Sequence, residues 1–403
     1  FRGEFSLARQ LLQEAEKYVE GNEQKSQLYL LQAMNEVSSL QHIDAAAEKQ
    51  LTLPMQRVWN NLYFYRNDDF CYDGSLVYDK YKAEFLNYRK FTNDLRYDYA
   101  FTFMRKYLRV LYQAQGNALM AELTHPKRGF FISEANYKAF DELTHNPHKT
   151  DWQALWINYY PYTKGDIYEC RGIYLFRQDR IDEALALFEK IPWETRGAEY
   201  DWGRDKLVNE KRRLSEQTLA VSPFKGGVYD MYYYDYITPP HVEYTKISFL
   251  RKAKQLKDRI AQGKDVYHSA IQLGNAFCNT SFYGVSRQFY HNEIIGEWSA
   301  LRLDNKENYA PLLDMTAAKK YFRIALTMAT TDEQRAEAAF LLGKAERNEY
   351  FAQRYYDIPE KKRKWVDQWE GFHILAKYPN TQYYKEAIKE CGWFANVVYL
   401  YND

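Results

Sequence analysis

Apolar residues return every three to four positions over most of this chain, the period of a helix with one buried face. Phe5, Leu7, Leu11, Leu12 and Ala15 set the pattern, and Gly21-Asn22 separates this first helix from the next. Pro54 is expected near the start of a third helix, where its missing N–H is tolerated. Residues 67–74 read as a turn-rich loop, with Ser75 placed to cap the helix that follows. The period resumes through Tyr78, Tyr81, Phe85 and Tyr88, then through Tyr99, Phe103, Tyr107 and Leu111. Pro126 and Asn146-Pro147 mark short loops, and a further helix is expected over roughly residues 197–220. Helices restart near Val242, with loops near Gly263, residues 296–304 and Pro359. The pattern predicts an all-α protein.

One spacing recurs within that pattern. Gly172 is followed at twelve and sixteen residues by Ala184 and Phe188, across a turn at Gln178-Asp179-Arg180. Leu273-Gly274, Leu342-Gly343 and Gly392 repeat the first half of the unit. Small residues at such offsets let antiparallel helices approach closely, and a large apolar residue fills the wedge beside them. Each hairpin then leaves an apolar face that only the next can cover, which predicts a stacked solenoid. The expected packing positions are Gly172, Ala184, Phe188, Gly274, Gly343 and Gly392. At the same offsets Gly274 meets Ser286 and Tyr290, and Gly343 meets Tyr355 and Pro359, so those units read as stretched.

Residues 222–240 break the pattern. They hold Pro223, Gly226, Gly227, Pro239 and Pro240 around a tyrosine-rich run, a composition that does not continue a helix. The expected fold is therefore an irregular α-α superhelical solenoid with a tyrosine-rich non-helical insertion. Its parts are an N-terminal segment at 1–221, an aromatic loop or linker at 222–240, and a C-terminal segment at 241–403. Tyr229, Tyr232, Tyr234 and Tyr236 form the candidate ligand or partner surface. Alternate residues of an extended segment share a face, so this one either stacks on a sugar or peptide or anchors the loop on neighbouring helices.

Charge and composition narrow the function. Lys plus Arg (55) nearly cancels Asp plus Glu (54), which argues against a bulk electrostatic role on nucleic acid or anionic lipid. The basic runs 211–213 and 361–364 have acidic neighbours and read as solvated faces. Cys71, Cys170, Cys278 and Cys391 lie about a hundred residues apart without CxxC spacing and read as separate, mostly buried thiols. His145 and His148 lack a third ligand at a metal-site spacing, so no metal or cofactor is expected. Paired acids such as Asp68-Asp69 and Glu297 with Asp304 read as caps or solvated charges. GxSxG, HExxH, P-loop and GxGxxG phrases are absent, so a non-catalytic protein is expected. The longest uncharged stretch, 267–286, is too polar for a transmembrane segment. The chain begins at Phe1 rather than Met, which points to processing or a fragment.

The residues DIYECRGIYLFRQDRIDEALALFEKIPW (166–193), with Gly172, Leu175, Ala184, Phe188 and Pro192, resemble the tetratricopeptide repeat. LGNAF (273–277) and AAFLLGKAERN (338–348) resemble its first helix; AAKKYFRIAL (317–326) and FHILAKYPNT (372–381) resemble its second. AKYPNTQYYKEAIKECGWF is similar to bacterial cell-envelope tetratricopeptide lipoproteins. NTSFYGVSRQFYHNE resembles divergent-repeat envelope proteins of the Bacteroidetes type. The resemblance implies a protein-interaction scaffold, periplasmic or outer-membrane-associated, within a larger envelope assembly. Its protein partner is expected in the solenoid groove or on the apolar C-terminal helix at 393–401, which otherwise docks back on the preceding hairpin. The excess of Tyr (38) and Trp (9) supports a competing expectation, glycan binding by an aromatic-rich surface.

Overall fold

The computed structural model describes residues 3–62, 95–127, 129–195, 199–201, 206–208, 211–219, 221–228, 244–296, 306–355, 359, 362, 365–396 and 398. They are predominantly helical, with a few two- and three-residue strands. Contacts group the chain into two compact units, Phe1–Thr163 with Glu194–Arg212, and Lys164–Trp193 with Arg213–Asp403. The chain crosses between the units at 163/164, 193/194 and 212/213, whereas the expected boundary lies at 222–240.

The first unit contains α1 (Phe5–Ala15), α2 (Asn22–Ser38), α3 (Ala45–Leu62), α4 (Leu95–Ala114), α5 (Ala118–Thr124), α6 (Glu134–His145) and α7 (Asp151–Asn158). Local signals set several of these boundaries. Asn117 accepts from the Met120 amide at the start of α5, and Thr150 forms a capping box with Gln153 at the start of α7. Pro54 lies well inside α3 rather than near its start. Packing of α3 on α2 and α7 holds this helix through the missing hydrogen bond. Its core joins distant helices through polar atoms as well as rings. Trp152 Nε1 donates to Tyr112 Oη at 2.6 Å, and Tyr112 Oη donates to Glu48 Oε1 at 2.8 Å.

Among the described residues of 197–220, the expected α-helix does not form. β1 (Glu194–Thr195) pairs antiparallel with β4 (Lys211–Arg212), and β2 (Glu199–Asp201) pairs with β3 (Lys206–Val208). A 3-10 turn at Leu214–Glu216 and β5 (Thr218–Leu219) follow, with β5 paired to β6 (Tyr244–Thr245). Gly197 and Gly203 weaken a helix, while Tyr200 and Val208 suit strands, and these preferences outweigh the helical spacing.

The second unit contains α8 (Lys164–Arg177), α9 (Ile181–Lys190), α10 (Lys246–Ala261), α11 (Val266–Asn279), α12 (Lys306–Leu313), α13 (Thr316–Met328), α14 (Asp332–Tyr355), α15 (Glu370–Leu375), α16 (Gln382–Glu390) and α17 (Gly392–Ala395). Packing runs from α8 to α9, α10 and α11, then from α11 to α13, α14 and α15. The core is aromatic: Phe176 stacks on Phe277 at 4.5 Å and meets Phe249 and Phe289 edge-on. The long helix α14 also starts the two helices after it. Glu346 accepts from the Glu370 and Gly371 amides, and Glu333 accepts from those of Gln382 and Tyr383. Carboxylates at helix N-termini satisfy otherwise orphaned N–H groups and complement the helix dipole.

Candidate functional site

Glycine and phenylalanine meet at three helix crossings in the second unit. A Cβ added to Gly172 would stand 2.6 Å from Phe188 Cε2, too close for any real contact. One added to Gly274 would overlap the ring of Phe322, and one added to Gly343 would overlap the ring of Phe372. The three phenylalanines are fully buried, as are Ala184 and Ala318 on the second helices of the first two crossings. Gly371 approaches the backbone of Gly343 and Ala339 so closely that it too has no room for a Cβ.

The structure therefore assigns different partners from those at the contiguous offsets. Gly274 meets α13, not Ser286 and Tyr290, and Gly343 meets α15, not Tyr355 and Pro359. First and second helices are joined across inserted chain, at 280–315 in one case and 356–369 in the other. Gly392 departs from the expectation altogether. It is exposed, and an added Cβ meets nothing within 4 Å. It begins a short helix whose Phe394 packs on Phe372 and Tyr384, while Trp393 packs on Tyr350, Phe351 and Trp369. The described part of the apolar C-terminal stretch is thus docked on its own chain.

The residues following the crossing glycines carry a polar cradle. Asn275 follows Gly274 and Lys344 follows Gly343, so the two occupy equivalent places on α11 and α14. Both donate to a segment outside any helix or strand, Val221–Val228, which turns at Pro223-Phe224. Asn275 Nδ2 donates to Phe224 O at 3.4 Å, and Lys344 Nζ donates to Gly227 O at 3.0 Å. Asn279 Nδ2 bridges Pro223 O at 2.9 Å and Lys225 O at 2.7 Å, and Ser286 Oγ donates to Val221 O at 2.9 Å. Five backbone carbonyls are thus held by side-chain donors. Two carboxamides, a hydroxyl and an ammonium satisfy those acceptors without reading the segment's side chains.

Two positions in the segment are read by shape. A Cβ on Gly226 would collide with the Asn275 carboxamide. The Phe224 ring is buried against Tyr244 and Phe249, with centroids 5.2 and 5.3 Å away.

Other buried charges in this unit anchor inserted chain. Lys246 Nζ donates to Glu169 Oε1 at 2.7 Å with both side chains fully buried, and also to His291 O at 2.8 Å. Asn292 Nδ2 donates to Glu169 Oε2 and to Asp166 O, fixing the same loop on α8. Arg177 is buried at the end of α8 and donates to the carbonyls of Phe277, Pro311 and Asp314. Burial pulls its guanidinium down to about 10. Asp179, at φ 61° in the turn after α8, accepts from Lys257, Lys320 and Tyr321 and so ties α8 to α10 and α13. These groups direct their hydrogen bonds into the fold.

In the first unit, Glu122 is buried in α5. Its Oε1 accepts from Tyr160 Oη at 2.7 Å and its Oε2 from the Lys127 amide at 2.8 Å. Burial pushes the carboxyl up to about 7, against the pull of those hydrogen bonds and of Arg109 and Arg105. The sequence reading missed this residue, whose signal is a lone acid inside the apolar phrase ALMAELT. It also missed Asn275, Asn279 and Lys344. Their signal is a polar residue one or five places after a crossing glycine, directly following or near an apolar run such as FLLG.

The remaining sequence candidates separate. Tyr229, Tyr232, Tyr234 and Tyr236 lie outside the described residues, as do Cys71, Asp68, Asp69, Glu297 and Asp304. His145 ends α6 with its Nδ1 on Asp141 O at 2.8 Å, and His148 lies in the loop that follows. Cys170 and Cys391 are buried, and Cys278 is half-buried.

The chain is thus a predominantly helical protein with repeated glycine–phenylalanine crossings, and no helix among the described residues is long and apolar enough to cross a membrane. No family model, curated protein or solved structure matches it.

Proposed function

We propose that this chain is a non-catalytic protein-interaction scaffold of tetratricopeptide-like helical hairpins stacked as an irregular solenoid. The recurrence of one crossing carries the reading: Gly172 with Phe188, Gly274 with Phe322 and Gly343 with Phe372 share the same steric logic. Helices that cross this closely leave faces for the next hairpin to cover, and the serial packing from α8 to α15 follows that order. The buried ionic groups support the same reading, because their hydrogen bonds join helices and loops. Placement within an envelope assembly rests on the resemblances of the sequence at 279–293 and 376–394 alone.

Capture from native membranes and lysate, at native expression, tests the scaffold. One protein recovered reproducibly with the wild-type chain is expected, and recovery of a bare monomer contradicts the proposal. A glycan array run with the same protein carries the competing outcome. Glycan retained by wild type and lost by Tyr232→Ala and Tyr234→Ala would replace the scaffold with glycan capture.

A further inference from the structure

The five carbonyl contacts of Val221–Val228 have the form of a bound peptide more than of a packed loop. Each donor is a side chain of α11, of α14 or of the loop after α11, and each acceptor is a backbone carbonyl. A surface that grips carbonyls accepts many sequences and depends little on the occupant's side chains. Two exceptions define what fits. Gly226 lies where any Cβ would strike Asn275, and Phe224 fills an aromatic pocket between Tyr244 and Phe249. Pro223 loses nothing here, because the cradle asks only for its carbonyl and proline suits a turn.

We infer that this cradle on α11 and α14 is a peptide-binding site whose present occupant, Val221–Val228, is an internal stand-in for a partner's segment. The ligand class is a Pro-aromatic turn followed by glycine, Pro-aromatic-x-Gly, presented by a partner protein. The inference rests on the scaffold reading and adds to it a site, a ligand pattern and a reason for weak binding by the resting chain. A tethered occupant competes at an effective concentration near the millimolar range, so a free peptide binds well only once the internal segment is released.

The test uses the full chain and a labelled synthetic peptide of the sequence VSPFKGGV, followed by fluorescence anisotropy. Gly226→Ala weakens the internal occupant by setting a Cβ against the Asn275 carboxamide, and it substitutes none of the cradle's donors. The peptide is expected to bind Gly226→Ala at least tenfold more tightly than wild type. Adding Asn279→Ala to that variant should return affinity to the wild-type level or below. A peptide with alanine at the place of Gly226 should not bind either chain. Far-ultraviolet circular dichroism and thermal melting show whether Gly226→Ala stays folded. If it does not, Phe224→Ser, which empties the aromatic pocket, serves as the releasing variant.

A folded releasing variant that binds the peptide no better than wild type overturns the inference. So does gained binding that is insensitive to Asn279→Ala. Failure here with native partner capture intact removes the cradle and leaves the scaffold. Failure of partner capture with peptide binding intact removes the scaffold reading and keeps the site.

Discussion

The hairpin of α8 and α9 and the pair of α11 and α13 reach the same crossing by different routes. The first closes through three residues, Gln178-Asp179-Arg180, and the second through 280–315. Both place a phenylalanine ring where the glycine lacks a side chain. Connection length therefore does not decide the geometry. Each doubling of a flexible loop costs only about 0.6 kcal/mol, whereas overpacking a helix crossing costs about 1–3 kcal/mol. The long connection adds its own anchors, since Arg177 holds the Pro311 and Asp314 carbonyls and Lys246 holds that of His291. The short hairpin needs only the turn at Asp179.

Breaking the anchor of the long connection should have the largest effect. Lys246→Met leaves Glu169 buried without its cation, and a loss of about 3–5 kcal/mol in urea unfolding is expected. Pairing it with Glu169→Leu should recover much of that loss. If Lys246→Met alone is neutral, the pair does not anchor the insertion.

A buried acid in the other unit sharpens the contrast, because Glu122 has a phenol and an amide as partners where Glu169 has an ammonium. Its folded value near 7 lies above its ordinary value, so the folded chain holds more protons between the two. That contribution is fully present below about pH 4.5 and is lost as pH rises through about 7, by up to about 3 kcal/mol. Chemical denaturation of wild type and Glu122→Gln across this window should show the wild type losing stability relative to the variant. Parallel curves would contradict the assignment.

Alanine at the glycines compares the crossings directly. Gly172→Ala and Gly274→Ala should each cost about 1–3 kcal/mol, with no advantage to the short hairpin. Gly392→Ala, facing open space, should fall within about 0.5 kcal/mol of wild type. A costly Gly392→Ala would mean that the C-terminal helix packs more tightly than its contacts indicate.

Helical character and the hairpin at 166–192 were legible because periodicity and local spacing encode them, whereas spacing alone also pointed to Gly392, where an added Cβ meets nothing within 4 Å. LGNAF and AAKKYFRIAL were each recognisable as helical, yet their pairing was not. Nothing local tells Gly274 that its phenylalanine is Phe322 instead of a residue near Tyr290; that is decided by aromatic packing and by Arg177 and Lys246 reaching across the chain. Residues 197–220 misled for the opposite reason, since local helical spacing there yielded to strand pairing. The cradle was illegible because its residues gain meaning only when Val221–Val228 is laid across two helices far apart in sequence. The tyrosines at 229–236 remain a sequence-based candidate, continuous with that segment.

The pairing of α11 with α13 across the insertion is the central structural claim, and a double-mutant cycle tests it most directly. Unfolding free energies of Gly274→Ala, Phe322→Leu and the double variant should be non-additive, with coupling above about 0.5 kcal/mol. The smaller side chain makes room for the added methyl group, so the double variant recovers part of the loss. The same cycle with Tyr290→Leu should show weaker coupling. Additive losses for Gly274 with Phe322, or stronger coupling with Tyr290, would contradict the crossing described here.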